Sequence, residues 1–165
     1  MKKVLIGALC LSGSLLWHSS SVAAGTEIQL EIPAIETAQY HRPYVAIWVE
    51  NEQQQPVKLI TIWQEKPDWL KDLRRFWRKI GRSNPQLVDA MTGATRRPGS
   101  YTLIWDGKDD KGADLPAGTY TLLVEAAREQ GGRSLQKLDF ALPGNGQVLE
   151  VAAESELGAL KLTVR

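Results

Sequence analysis

Ile28, Leu30 and Ile32 alternate with Glu27, Gln29 and Glu31, and a period of two places one side of a segment in a core and the other in water, which is the pattern of a half-buried β-strand. Within the stretch Thr26 to Glu36, Pro33 closes that strand, because proline cannot donate to a ladder. Tyr44 to Glu50 and Val57 to Gln64 are rich in β-formers and flank the turn Asn51 to Pro56. From Ser100 onward the pattern is β throughout: Tyr101 to Trp105, Gly118 to Ala127, Leu135 to Leu142, Gln147 to Ala153 and Leu157 to Val164. Pro143-Gly144-Asn145-Gly146 and Gly158 divide the last three. Seven to eight short strands separated by turns predict an all-β protein, an antiparallel β-sandwich. Tyr101 to Trp105 and Gly118 to Ala127 are expected to pair as a hairpin around Asp106 to Ala117.

One segment departs from this period. Between Lys66 and Arg82, the residues Trp69, Leu70, Leu73, Phe76, Trp77 and Ile80 recur at helical spacing, with Pro67 suited to the first turn and Gly81 to the stop. This predicts one amphipathic helix whose apolar stripe packs on a sheet. The other face carries Lys71, Arg74, Arg75, Arg78 and Lys79, and residues 66–97 hold nine basic and three acidic side chains. Such a face is either solvated surface or a basic patch beside a phosphate or an anionic membrane. Ser83 to Pro98 reads as a loop from its Ser, Asn, Pro and Gly content.

The N-terminus bounds the compartment. Lys2 and Lys3, the apolar run Val4 to Trp17, the Ser19 to Ser21 step and Val22-Ala23-Ala24 follow the order of a secretory signal, with cleavage expected after Ala24 or Ala23. Residues 1–24 are then a leader and residues 25–165 a single domain. The apolar run is short for a bilayer, and Cys10 follows Leu9 where a lipoprotein site needs a small residue. The expected product is periplasmic or secreted and does not span the membrane once the leader is gone. Cys10 is the only cysteine, so the exported part forgoes disulfides, Cys-ligated zinc and thiol catalysis, and any redox role needs a cofactor. Without Lys2 and Lys3 the 20 basic residues fall to 18 against 19 acidic, a net of −1, which argues against nucleic acid. His41 is the one histidine beyond the leader, leaving Ser-His-Asp hydrolysis and His-rich metal sites without material. Asp106, Asp109, Asp110 and Asp114 lack the alternating spacing of an EF-hand calcium loop. No catalytic residue and no metal ligand is assigned.

The remaining candidate is Asp89-Ala90-Met91-Thr92-Gly93-Ala94-Thr95, followed by Arg96 and Arg97. Gly93 and Ala94 leave little bulk beside the Thr95 hydroxyl, and the two arginines supply charge for a phosphate. These residues resemble the D-x-x-[S/T]-G-A-T motif on which FAD:protein FMN transferases place FMN in extracytoplasmic flavoproteins. The resemblance implies that Thr95 is joined to FMN by a phosphodiester and that the transferase recognises Asp89, Thr92, Gly93 and Ala94. Trp69 and Trp77 are candidates for a flavin wall, because the helix leads into this loop.

Trp105-Asp106-Gly107 to Tyr120 resembles a structural hairpin of immunoglobulin-like domains in bacterial surface and flagellar-hook-assembly proteins, which makes the expected sandwich immunoglobulin-like. Taken together, residues 26–165 resemble the DUF2271 family of exported domains through Thr92 to Thr95, Pro98 to Tyr101, Trp105 to Tyr120, and Glu125 to Glu129. Gln130-Gly131 stands where the family pattern leads one to expect His-Gly. The implied function is electron transfer, with FMN on Thr95 passing electrons between a membrane-bound PepSY-type reductase and an extracytoplasmic acceptor, rather than a self-contained enzyme. The alternative is an unmodified immunoglobulin-like structural or binding domain.

Overall fold

The alternating segment forms β1, Thr26–Ile32, with Ile28, Leu30 and Ile32 fully buried and Gln29 and Glu31 exposed. In this computed structural model, which describes residues 25–165, β1 lies between β5 (Gly99–Trp105) and β9 (Leu160–Val164), and β8 (Gln147–Val151) completes a four-stranded sheet of order β5-β1-β9-β8. The leader expected over residues 1–24 lies outside the described residues. A second sheet has the order β4-β3-β2-β6-β7, formed by β2 (Tyr44–Asn51), β3 (Pro56–Gln64), β4 (Thr92–Ala94), β6 (Gly118–Ala127) and β7 (Arg133–Leu142). The two sheets enclose a core that includes Ile28, Ile47, Trp63, Trp105, Val124 and Phe140. The protein is therefore a mostly-β sandwich. It has nine strands among the described residues, and β4 is the one absent from the sequence expectation.

β2 explains why the two faces of the second sheet are both apolar. Its Val45, Ile47 and Val49 enter the sandwich, while Tyr44, Ala46 and Trp48 join a second cluster with Leu59, Leu73 and Phe76 on the outer face. A strand buried on both sides reads as a continuous apolar run, and each large side chain so buried contributes on the order of 1.5–3 kcal/mol.

The segment covering that outer face is not one helix. Lys66 to Arg82 divides into a 3-10 turn, Pro67–Asp72, and an α turn, Arg74–Phe76, that runs into a π turn, Trp77–Gly81. The break falls at Leu73, with φ −76° and ψ 74°. Glu125, on the helix side of β6, accepts the backbone N–H of Arg75 at 3.1 Å and of Phe76 at 2.7 Å. A buried carboxylate thus satisfies N–H groups that a continuous helix would have bonded internally. Gly81 is required here, because a Cβ would lie 2.6 Å from Cε3 of Trp77.

Ser83 to Pro98 likewise is more than a loop: Pro85–Met91 is a helix that runs directly into β4. Asn84 before Pro85 is a helix-start pair, and Leu87, Val88 and Met91 share one apolar face at helical spacing. The expected hairpin is also absent. β5 pairs with β1, whereas β6 pairs with β2 and β7, so residues 106–117 cross from one sheet to the other. The aspartates of that crossing fasten it. Asp109 accepts the N–H groups of Lys111 and Ala113, each at 2.8 Å, Asp110 accepts that of Leu59, and Asp114 pairs with Lys108. The N–H of Ala113, chiefly, holds the Asp109 carboxyl below its ordinary value. The stability this contributes is present above the usual aspartate range and is lost as pH falls through the lowered value.

Candidate functional site

β4 is an edge strand of three residues. It runs parallel to β3, with Thr92, Gly93 and Ala94 opposite Ile62, Trp63 and Gln64, and the N–H of Thr95 extends the ladder to the Gln64 carbonyl at 3.1 Å. This departs from a wholly antiparallel sandwich because the Pro85–Met91 helix supplies the crossover that parallel pairing needs. The Thr95 side chain turns inward: the residue is 8% exposed, and Oγ1 donates to the Pro43 carbonyl at 2.7 Å. Thr92 Oγ1 donates to the Val88 carbonyl at 2.7 Å, closing the preceding helix. Asp89 and Ala94 are exposed. At half-buried Gly93 a Cβ would meet nothing closer than 3.8 Å, so the fold itself has room for a methyl there.

The two arginines after the motif are held differently. The Arg96 guanidinium lies 5.4 Å from the ring centre of Trp63 and 5.9 Å from that of Tyr101, an arrangement in which ring faces attract the cation. Tyr101 in turn donates its hydroxyl to the Arg97 carbonyl at 2.7 Å. Arg97 lines a crevice of about 400 Å³ with Ala34, Ile35, Tyr40, Arg42 and Pro98. That volume lies within the range of small-ligand sites.

Tyr40 to Pro43 joins this crevice to distant parts of the chain. Pro43 accepts the Thr95 hydroxyl, His41 Nδ1 lies 3.5 Å from Glu129 Oε2, and the Arg128 guanidinium lies 5.9 Å from the Tyr40 ring centre. Arg128 is itself held by Glu156 through Nε to Oε2 at 2.9 Å and a second nitrogen to Oε1 at 3.2 Å. Burial raises the Tyr40 phenol above its ordinary value, so its hydroxyl keeps its proton at neutral pH. That hydroxyl is buried and has no hydrogen-bond partner among the described residues. Strand register explains the convergence, since Gln64 pairs with Ala94, Tyr44 with Ala127 and Ala127 with Arg133, all at one end of the second sheet.

Residues 25–159 match a family model described as "Predicted periplasmic protein (DUF2271)". The chain belongs to the DUF2271 family. Localisation to the periplasm, expected from the leader, agrees with that description. No curated protein and no solved structure matches the chain. No helix among the described residues of this DUF2271 chain is long and apolar enough to cross a membrane.

Within the DUF2271 fold, the stretch Glu125 to Glu129 does three separate things: Glu125 holds the broken helix, Arg128 pairs with Glu156, and Glu129 faces His41. Gln130 occupies a left-handed position, φ 54°, at the tip between β6 and β7. The histidine expected at that tip is absent, but His41 reaches the neighbouring Glu129 from the connector after β1. The basic helix face is not uniform either. Arg75 is ion-paired with buried Glu50, and Lys79 Nζ donates to the Gln54 carbonyl at 2.7 Å, which leaves Lys71, Arg74 and Arg78 exposed. Trp69 and Trp77 pack against the outer-face cluster; the rings beside Arg96 are those of Trp63 and Tyr101. Tyr40, Arg42 and Pro43 were not legible as site residues, because they sit in a connector and only the tertiary fold brings them to Arg97 and Thr95.

Proposed function

We propose that this DUF2271 protein is an extracytoplasmic flavoprotein that carries FMN on Thr95 and exchanges electrons with a membrane-bound reductase of the PepSY type. The observation that carries the reading is the Asp89 to Thr95 motif, ending at a short sheet edge beside the crevice lined by Arg42 and Arg97. Gly93 adds support: the fold has room for a methyl there, so a glycine at this position is better explained by an enzyme that must take the backbone into its own site. A three-residue edge strand is the kind of element that opens at low cost, and its release would free the Thr95 hydroxyl from Pro43. The residues suited to hold the phosphate are Arg42 and Arg97, both exposed and without a carboxylate partner among the described residues. In the attachment, Thr95 Oγ1 bonds to the FMN phosphorus of FAD, the pyrophosphate breaks, AMP leaves, and the hydroxyl proton passes to the transferase. The bound flavin supplies the redox chemistry, and the protein supplies position and charge.

Producing the mature chain together with an FAD:protein FMN transferase is expected to raise its mass by one FMN less one water, with yellow fluorescence retained after denaturation. Thr95→Ala abolishes this and costs about 1 kcal/mol of stability, the worth of one hydrogen bond. An unmodified wild type, or a modified Thr95→Ala, defeats the proposal. A second reading, the unmodified structural or binding domain, is favoured by the Thr95 hydroxyl being already engaged by Pro43 at 2.7 Å; the same mass measurement decides between them.

A further inference from the structure

We infer that the crevice lined by Ala34, Ile35, Tyr40, Arg42, Arg97 and Pro98 is a seat for a planar aromatic phosphate, and that it holds the flavin ring and phosphate without any covalent bond. The identity of the ring rests on the flavoprotein reading above; the seat itself rests on the chemistry of its walls. Arg42 and Arg97 come from segments far apart in sequence and face one cavity of about 400 Å³. Two cations lining one cavity, neither of them ion-paired with a carboxylate among the described residues, repel each other, and an anion placed between them removes that cost. Ala34, Ile35 and Pro98 give the same cavity an apolar side, which a bare inorganic anion would not use. Tyr40 contributes a ring to the same lining, a flat surface on which an aromatic ligand can pack. The ring is backed by Arg128, which is fixed by Glu156, so the wall is already in place before a ligand arrives.

Thr95 lies two residues before Arg97, and its hydroxyl is bonded to the residue after Arg42. Once Thr95 is released from Pro43, a group tethered to it is two residues from Arg97 and meets the seat at an effective concentration in the millimolar range, as short tethers give. An intrinsic dissociation constant of about 1 mM or lower therefore suffices to keep the seat filled.

The test uses the mature chain produced without a transferase, titrated separately with free FMN, riboflavin and inorganic phosphate, and followed by flavin fluorescence and by calorimetry. FMN is expected to saturate at or below about 1 mM, with riboflavin and phosphate each roughly tenfold weaker. Arg42→Gln and Arg97→Gln are each expected to weaken FMN about tenfold, with unchanged circular dichroism because both side chains are exposed. Riboflavin binding as well as FMN, phosphate binding as well as FMN, no saturation by FMN, or indifference to both substitutions overturns the seat. Covalent attachment at Thr95 without binding of free FMN overturns the seat and leaves the flavoprotein reading intact. Binding of free FMN without attachment does the reverse.

Discussion

Glu125→Ala is expected to lower the unfolding free energy by roughly 3–5 kcal/mol, the cost typical of removing one partner from a buried ionic network. Glu125 is 0% exposed, and its carboxylate accepts the N–H groups of Arg75 and Phe76 and the Nε–H of Arg133 at 2.6 Å. Alanine leaves the two backbone donors without their partner beneath the helical segment, and a donor buried without an acceptor bears its desolvation cost in full, whereas Arg133, with a side chain 35% exposed, can turn to water. The nearby pair of Arg75 with buried Glu50 depends on the same turn, so the loss should propagate to it. Urea unfolding followed by tryptophan fluorescence, to which Trp48, its ring centre 6.0 Å from that of Phe76, contributes, would report it. Glu125→Gln, which keeps an acceptor for the backbone, should cost less than Glu125→Ala. A loss below about 1 kcal/mol for Glu125→Ala would mean that the helical segment does not need this anchor.

Glu156→Ala is expected to combine a stability loss of similar size, roughly 3–5 kcal/mol, with damage to a site it does not touch. Glu156 and Arg128 have side chains 3% and 8% exposed and are joined by two contacts, and Glu156 Oε1 also accepts the Gly132 N–H at 2.6 Å. Without the carboxylate, Arg128 is left buried and unpaired and no longer backs the Tyr40 ring. The Tyr40 to Pro43 connector should then loosen, releasing one wall of the crevice and the acceptor of the Thr95 hydroxyl. Thermal unfolding measures the first effect, and FMN titration of the variant below its transition measures the second. A destabilised variant that binds free FMN as wild type does would show that Arg128 has no positioning role toward the crevice.

The sandwich was legible because period-two alternation is a local property. β1 and β9 could be recognised from the alternation of their own residues, and β6, buried continuously from Leu122 to Ala127, was bounded correctly by the turn chemistry beside it. The family was legible for a similar reason, since its motifs are short runs of adjacent residues. Partner choice was not local. Whether β5 would fold back on β6 or pair with β1 depends on which sheet buries Trp105, and its ring packs edge-on against Phe140 of β7 from across the core. The helix from Lys66 to Arg82 had the right spacing, but a carboxylate some fifty positions later in the chain captures its N–H groups and divides it.

The candidate site separates the two levels in the same way. The sequence alone determined which hydroxyl to consider, because Asp89 to Thr95 is contiguous. Tertiary structure decided that this hydroxyl is buried against Pro43 at the end of an edge strand, and that Arg42, Tyr40 and Arg97 share one crevice. It also brought His41 to Glu129 and set Arg128 behind Tyr40. None of these pairs shares a helix face or a strand period. They meet because strand register aligns the ends of β2, β3, β4, β6 and β7 at one end of a sheet, and register is set by the burial of the core as a whole.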